Sequence, residues 1–267
     1  MYQMMSLPLY SGTFQEYDSW RDLGQELERL GCDGIEGVWG GEDLPKDLPA
    51  ELILGYHLIF YPDWLDFYRD DRAALKQKFG SLEAVASFYG GLGPDTLLEQ
   101  YRADLRRAVN LGARYVVFHV SDVSLEEGYT YRWLPTNQEV IDAAVEVVNL
   151  ILGEERWPFE FLVENQWWPG FTFTEPEETA RLLEGIRFAG KGILLDTGHL
   201  MNACTELKTE AEGADYIRSM LNRHGSLAKW VRGVHLHQSL SGAYVKAHTG
   251  SLPAGLPEDY MERFGVS

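Results

Sequence analysis

Short apolar runs alternate along this chain with stretches in which apolar residues recur every three or four positions. The runs are YQMMSLPL (2–9), GIEGVW (34–39), LILGYHLIF (52–60), RYVVFHVS (114–121), FEFLVEN (159–165), GILLDTG (192–198) and VRGVHLHQS (231–239). Most are too continuously apolar to keep one face wet, which marks parallel strands covered on both sides. Between them, Trp20, Leu23, Leu27 and Leu30 fall on one helical face. So do Leu98, Tyr101, Leu105 and Ala108, then Ile141, Ala144, Val145 and Val148, then Leu182, Leu183 and Ile186. Thr136-Asn137 precedes one of these helices, and Thr174 precedes Glu177 at capping-box spacing before another. Gly31 and Gly112 end two helices just ahead of a strand.

Alternation repeated this often predicts a parallel α/β fold. Seven strands with no G-x-G-x-x-G turn favour a TIM (β/α) barrel over a dinucleotide-binding sheet, as a single domain over residues 1–267. Two stretches depart from the alternation. Residues 61–91 form a long aromatic insertion after the third strand, either a lid over the barrel mouth or a packed surface excursion. After the seventh run no convincing eighth strand follows, RFGVS being too short and weakly patterned, so the eighth β/α unit is expected to be missing or degenerate.

Composition narrows the class. With 267 residues, 45% of them hydrophobic, the chain has ample material for one large core. The net charge of -18, from 41 acidic and 23 basic residues without a basic run, counts against nucleic acid as the main partner. Two cysteines, Cys32 and Cys204, are too few for a disulfide framework and match no zinc spacing, which points to a reducing, cytoplasmic setting. The N-terminus has no secretory pattern, and no apolar run approaches the ~20 residues of a membrane span.

The polar residues change the picture most, because they collect at the C-terminal ends of the strands. Glu36 lies on the second strand, His57 on the third and His119 on the fourth, with Asp122 just beyond. Glu164-Asn165 close the fifth, Asp196 and His199 the sixth, and His235 and His237 lie on the seventh, with His248 in the loop after it. In a parallel barrel these ends converge on one face, where active sites form. Imidazole nitrogens with carboxylate oxygens suit Zn²⁺, Mn²⁺ or a similar ion. Buried carboxylates are costly unless paired, and the nearest basic residues in sequence are Arg232 and Lys246, so a metal would relieve the whole group. Trp39, Trp167 and Trp168, near strand ends, are either an apolar wall for a sugar ring or packing residues.

The motifs LVEN (162–165), LLDTGHL (194–200) and GVHLH (233–237), with Thr174, Glu177 and Glu178 after the fifth strand, resemble the xylose isomerase-like TIM-barrel superfamily over roughly residues 1–250. That superfamily includes sugar and sugar-phosphate isomerases and epimerases, inosose dehydratase-like enzymes and endonuclease IV-type apurinic endonucleases. The resemblance implies metal ligands at Glu164, Asp196 and His235, with His199 as the extra histidine after strand six. His57 and His119 match histidines that bind further zinc in the endonuclease branch, and His248 matches its loop histidine. The aspartate that precedes that histidine by two residues is Lys246 here, and the strand-eight glutamate has no visible counterpart.

Three functions follow as expectations. The first is a divalent-metal-dependent isomerase or epimerase of a sugar, sugar phosphate or related polyol, working through an enediolate with one to three Zn, Mn or Co ions. Glu164 would be base as well as ligand, with Glu36, His57 or His119 as the second acid–base group, and Asn165, His237 and the three tryptophans would line the substrate. The second is an apurinic-endonuclease-type multi-zinc phosphodiesterase, favoured by His57, His119, His199 and His248 and opposed by the charge. The third is a non-catalytic metal- or carbohydrate-binding barrel, whose open edges call for a covering element or a second copy in a homo-oligomer.

Overall fold

The computed structural model describes residues 1–257 and 260–266. Seven strands, β1 (Met4–Leu9), β2 (Gly34–Trp39), β3 (Ile53–His57), β4 (Tyr115–His119), β5 (Glu160–Glu164), β6 (Lys191–Asp196) and β7 (Val231–His235), form one sheet in sequence order. Each neighbouring pair is parallel. Helices Trp20–Leu30, Pro94–Asn110, Asn137–Leu152, Pro176–Gly185 and Glu210–His224 connect successive strands. The result is an α/β, TIM-barrel-like sheet curled into an incomplete barrel. Among the described residues no eighth strand follows β7, so β1 and β7 are its edges. The chain beyond β7 instead forms helices Gly242–His248 and Tyr260–Val266.

All seven apolar runs hold strands; β2 matches its run end to end, and the other six stop short at one end or both. The trimming at β6 bears on the site. The strand stops at Asp196 because Asp196 caps the short helix Thr197–Asn202, its Oδ1 accepting from His199 N at 2.7 Å. Coverage on both faces holds for β2 to β6 but not at the edges. Val234 is 53% exposed and Leu236 78%, as expected of a last strand with no neighbour beyond it.

The outer core matches the helical faces closely. Leu23, Leu27, Leu98, Tyr101, Leu105, Ala108, Ile141, Ala144, Val148, Leu182, Leu183 and Ile186 are buried. Leu30 departs from its face and is exposed, because the helix ends there and turns away at left-handed Gly31. Thr136 caps its helix as expected, and does so through a capping box with Glu139. Thr174 does not cap: Pro176 sets the first turn one step later, Glu175 holds the N-cap position without a side-chain bond, and the Thr174 hydroxyl pairs with Thr172 at 2.7 Å.

Residues 61–91 fold into helices Leu65–Tyr68, Arg72–Phe79 and Leu82–Tyr89. Their inner face, including Trp64, Phe67, Phe79 and Tyr89, joins the common core. Asp122 fastens the segment to the end of β4: its Oδ1 accepts from Trp64 N and Leu65 N, both at 2.8 Å. The Tyr260 ring lies tilted against Phe79, with centroids 3.9 Å apart, so the last helix packs against the same excursion. Among the described residues no helix is long and apolar enough to cross a membrane.

Candidate metal centre

Side chains two apart on a strand share a face. Val116, Phe118, Phe161, Val163, Ile193 and Leu195 point outward into the helical core. Val117, Leu162 and Leu194, with Tyr115 against them, form a separate small cluster inside the curl. The next inward positions are His119, Glu164 and Asp196. Register sets His119 beside Glu164 and Asp196 beside His235, so strand alternation alone carries these groups to one layer at the mouth.

Glu164 is the hub. Its Oε2 lies 3.3 Å from His57 Nε2 and 3.1 Å from His119 Nε2. Its Oε1 lies 3.1 Å from His235 Nδ1 and 3.3 Å from His199 Nδ1. Asp196 Oδ2 stands 3.7–3.9 Å from His199, His235 and His237. Both carboxylates are buried. The helix that Asp196 caps is what turns the His199 ring back toward the layer.

This arrangement fits a divalent ion. Glu164 Oε2 is buried and has no well-formed hydrogen bond, although two imidazole nitrogens crowd it. His57 Nδ1 bonds the Leu58 carbonyl at 2.8 Å, which holds a proton there, so that in the neutral ring Nε2 is the lone pair. Two donor sets emerge, His57–His119–Glu164 and Glu164–Asp196–His199, each with its ligand atoms within 4.8 Å of one another. The N/O donors suit Zn, Mn or Co.

The carboxylates and imidazoles of this layer shift one another strongly. Burial pushes the Glu164 carboxyl up, but the surrounding imidazoles outweigh it and hold the group well below the usual carboxylate range. Burial likewise opposes charge on His235, yet Glu164 and Glu36 push it up to about 10. His57 is raised against burial, chiefly by Glu164, whereas burial and the nearby His57 push His119 down. An ion would take the place of these protons.

A model of the xylose isomerase-like TIM barrel matches residues 25–255. The chain belongs to the xylose isomerase-like TIM-barrel family. Comparison with curated proteins gives no match. Among solved structures, one named AsfvAP:AG is 12% identical, with a TM-score of 0.52 over 88% of this chain and 74% of its own. A D-tagatose 3-epimerase-like protein is 16% identical, TM-score 0.43, with 87% of this chain spanning 66% of its length. The IolI protein with a bound zinc atom is 15% identical, TM-score 0.45, over 99% of this chain and 96% of that one. At 12% identity the match to AsfvAP:AG shows a shared fold alone.

Against the pattern that the sequence led us to expect, several residues take other places. His248 lies on the helix Gly242–His248 rather than in a loop, exposed and stacked on Tyr244 at 3.8 Å. Lys246 pairs with Glu206 at 2.5 Å. Asn165 uses both ends of its amide on the Asp196 backbone, at 2.8 and 3.1 Å, and is fully buried; it clamps β5 to β6 and offers nothing to a substrate. Trp39 faces the helical layer, with the Arg107 guanidinium 3.7 Å over its ring. Asp122 belongs to the anchor of the 61–91 segment. Glu36 is buried, with both oxygens already bonded. Trp167 and Trp168 do pair near the centre, Trp167 lying 4.9 Å from His199. His237 sits at the rim, with its side chain 58% exposed.

Three other contributors were not singled out. Gln166 Nε2 meets His199 Nδ1 at 3.0 Å, and the Thr197 hydroxyl links to the backbone of His235 and His237. Phe60, exposed at the rim, leans on His119 at 4.5 Å. Thr197 sits inside the LLDTGHL motif and Gln166 directly follows LVEN; nothing in the pattern marked Phe60.

Proposed function

We propose that this chain is a divalent-metal-dependent isomerase or epimerase acting on a sugar, sugar phosphate or related polyol. The carrying observation is the junction at Trp167, which touches the carboxylate–imidazole centre through His199 and also lines a cavity of about 270 Å³ with Trp133, Trp168, Asn137, Thr172 and Thr174. Indole faces beside hydroxyl and amide groups suit the mixed apolar and polar surface of a sugar ring.

Glu164, Asp196 and His235 would hold the ion, with His199 beside them. A bound divalent ion supplies Lewis acidity toward adjacent substrate oxygens. Asn165 and Thr197 fix the backbone around these side chains, so their orientation is set before substrate arrives. Glu164 is the carboxylate placed to move a proton, and His57 or His119, across its other oxygen, is the second acid–base group. Trp167 and Trp168 orient the ring and exclude water from the inner side.

A second reading has its own support. The two donor sets share Glu164, and a carboxylate common to two ions favours a phosphodiesterase of the multi-zinc kind. The charge of -18 opposes a nucleic-acid substrate.

Elemental analysis after exhaustive dialysis, followed by assays on a sugar panel and on an abasic-site duplex, separates the readings. One exchangeable ion with sugar turnover supports the first. Two or three zinc ions with strand cleavage replaces it by the second. No ion, and none taken up on titration, leaves the non-catalytic barrel.

A further inference from the structure

Tyr115 opens β4 below the metal layer, and its side chain does not stay on its own strand. Gly55 of β3 is its register partner, and Glu36 of β2 is in turn the partner of Gly55. A Cβ on Gly55 would collide with the Tyr115 ring, so glycine opens the passage across β3. Through that passage the Tyr115 hydroxyl donates to Glu36 Oε2 at 2.6 Å. Glu36 Oε1 then meets His235 Nε2 at 2.9 Å, and His235 Nδ1 meets Glu164 Oε1 at 3.1 Å. One line of contacts therefore runs from β4 to β2, across the unclosed side of the barrel to β7, and on to the hub on β5.

We propose that Tyr115 and Glu36 are positioning residues that set the orientation of His235. Glu36 engages Nε2, which leaves Nδ1 directed at Glu164. A histidine that ligates through one nitrogen is held by a carboxylate on the other, and such outer partners matter to affinity almost as ligands do. Tyr115 completes the device. Without its hydroxyl, Glu36 Oε2 would be buried without a donor, and the carboxylate could rotate away from His235. The reading of Glu36 as a proton-transfer group gives way to this one, because neither of its oxygens is free. The relay takes Nδ1 as a ligand from the proposed function, but the contacts themselves need no ion.

The test uses the full chain with Tyr115→Phe and Glu36→Gln. Three quantities are read: the metal-free melting temperature, the ¹⁵N resonances of the His235 ring in metal-free protein, and Co²⁺ affinity by absorbance titration. Tyr115→Phe is expected to melt close to wild type, to shift the His235 ring resonances while leaving most amides in place, and to weaken Co²⁺ binding about tenfold. Glu36→Gln should shift the same resonances further. If the Tyr115→Phe resonances move throughout the chain, the hydroxyl was serving packing, and Glu36→Gln decides: an unchanged His235 ring there overturns the relay. Wild type that takes up no Co²⁺ while His235 still responds defeats the metal reading and leaves the relay standing. Wild type that binds Co²⁺ while neither variant alters the His235 ring defeats the relay alone.

Discussion

His57 Nε2 and His119 Nε2 stand 3.0 Å apart, and both crowd the same buried oxygen of Glu164. With both rings neutral and the His57 proton on Nδ1, at most one hydrogen is available among the three atoms. Lone pairs converging in this way repel one another unless a cation sits among them. The folded chain is therefore expected to gain stability from Zn²⁺ or Co²⁺. At a free ion concentration 100 times the dissociation constant, the gain is about 2.7 kcal/mol. For a chain of this size that is roughly 5–10 °C in Tm, lost on adding chelator. Glu164→Gln keeps the volume and removes the charge shared by both donor sets, so it should lower affinity by at least about 100-fold. Calorimetric titration and melts with and without EDTA check both statements. A Glu164→Gln protein with undiminished metal affinity would remove Glu164 from the centre.

Asp122 predicts a pH effect of the opposite kind to an ordinary ion pair. Burial, and the nearby Asp63 carboxylate, push its carboxyl up to about 7. Its folded value lies above its unfolded one of about 3.9, so the protonated form favours the fold. That contribution is complete below about pH 4 and is lost as pH rises through 7. Asp122→Asn keeps an oxygen for Trp64 N and Leu65 N and cannot ionise. It should melt no lower than wild type at pH 8 while giving up its parity near pH 5. Asp122→Ala uncaps both amides and should cost about 1–3 kcal/mol at either pH. Urea melts at the two pH values read the difference.

Gly170 ties the loop that carries Trp167 and Trp168 to the end of β4. Its φ is +130°, and a Cβ there would collide with the Val120 carbonyl, which accepts from Phe171 N at 2.8 Å. Gly170→Ala should therefore cost about 2–4 kcal/mol, from backbone strain together with a broken contact. It should also move the tryptophan emission, since both indoles hang on that loop. Denaturant melts followed by fluorescence test this, and a variant as stable as wild type would mean the loop relaxes without loss.

The strands and the convergence of most candidate residues were legible because both follow from one periodicity. Continuous apolar runs marked the strands, and alternation within them put His119, Glu164, Asp196 and His235 on one face. What was not legible depends on directions that spacing does not encode. Trp39 stands at a strand end yet faces the helices, and Asn165 sits in the motif yet spends its amide on the neighbouring backbone. Tyr115 reads as an ordinary strand aromatic. Its reach across Gly55 to Glu36 depends on the register of three strands, which no local pattern reveals. The Thr174 capping box failed for a similar reason: Pro176 offered the helix a better first turn.

The tryptophans separate the site from the scaffold experimentally. Trp167 and Trp168 lie with ring centroids 4.2 Å apart, and Trp167, which lines the cavity, is 4.9 Å from His199. Trp39 instead packs under Arg107 and bonds the Glu42 carbonyl at 2.7 Å through its Nε1. Trp39→Ala is expected to lower stability by about 1–3 kcal/mol, from lost packing and the cation–π contact, with metal affinity unchanged. Under the proposed function, Trp167→Ala should do the reverse: a smaller loss of stability, and a KM raised about tenfold or more, because a sugar ring would lose its stacking surface. Removing Trp167 also opens the His199 side of the centre to water, so kcat should fall along with the rise in KM. Steady-state kinetics on the best substrate of the sugar panel, paired with melts of both variants, decides it. If Trp39→Ala raises KM and Trp167→Ala does not, the substrate approaches from the helical side, and the cavity at Trp133 and Trp168 has no part in binding it.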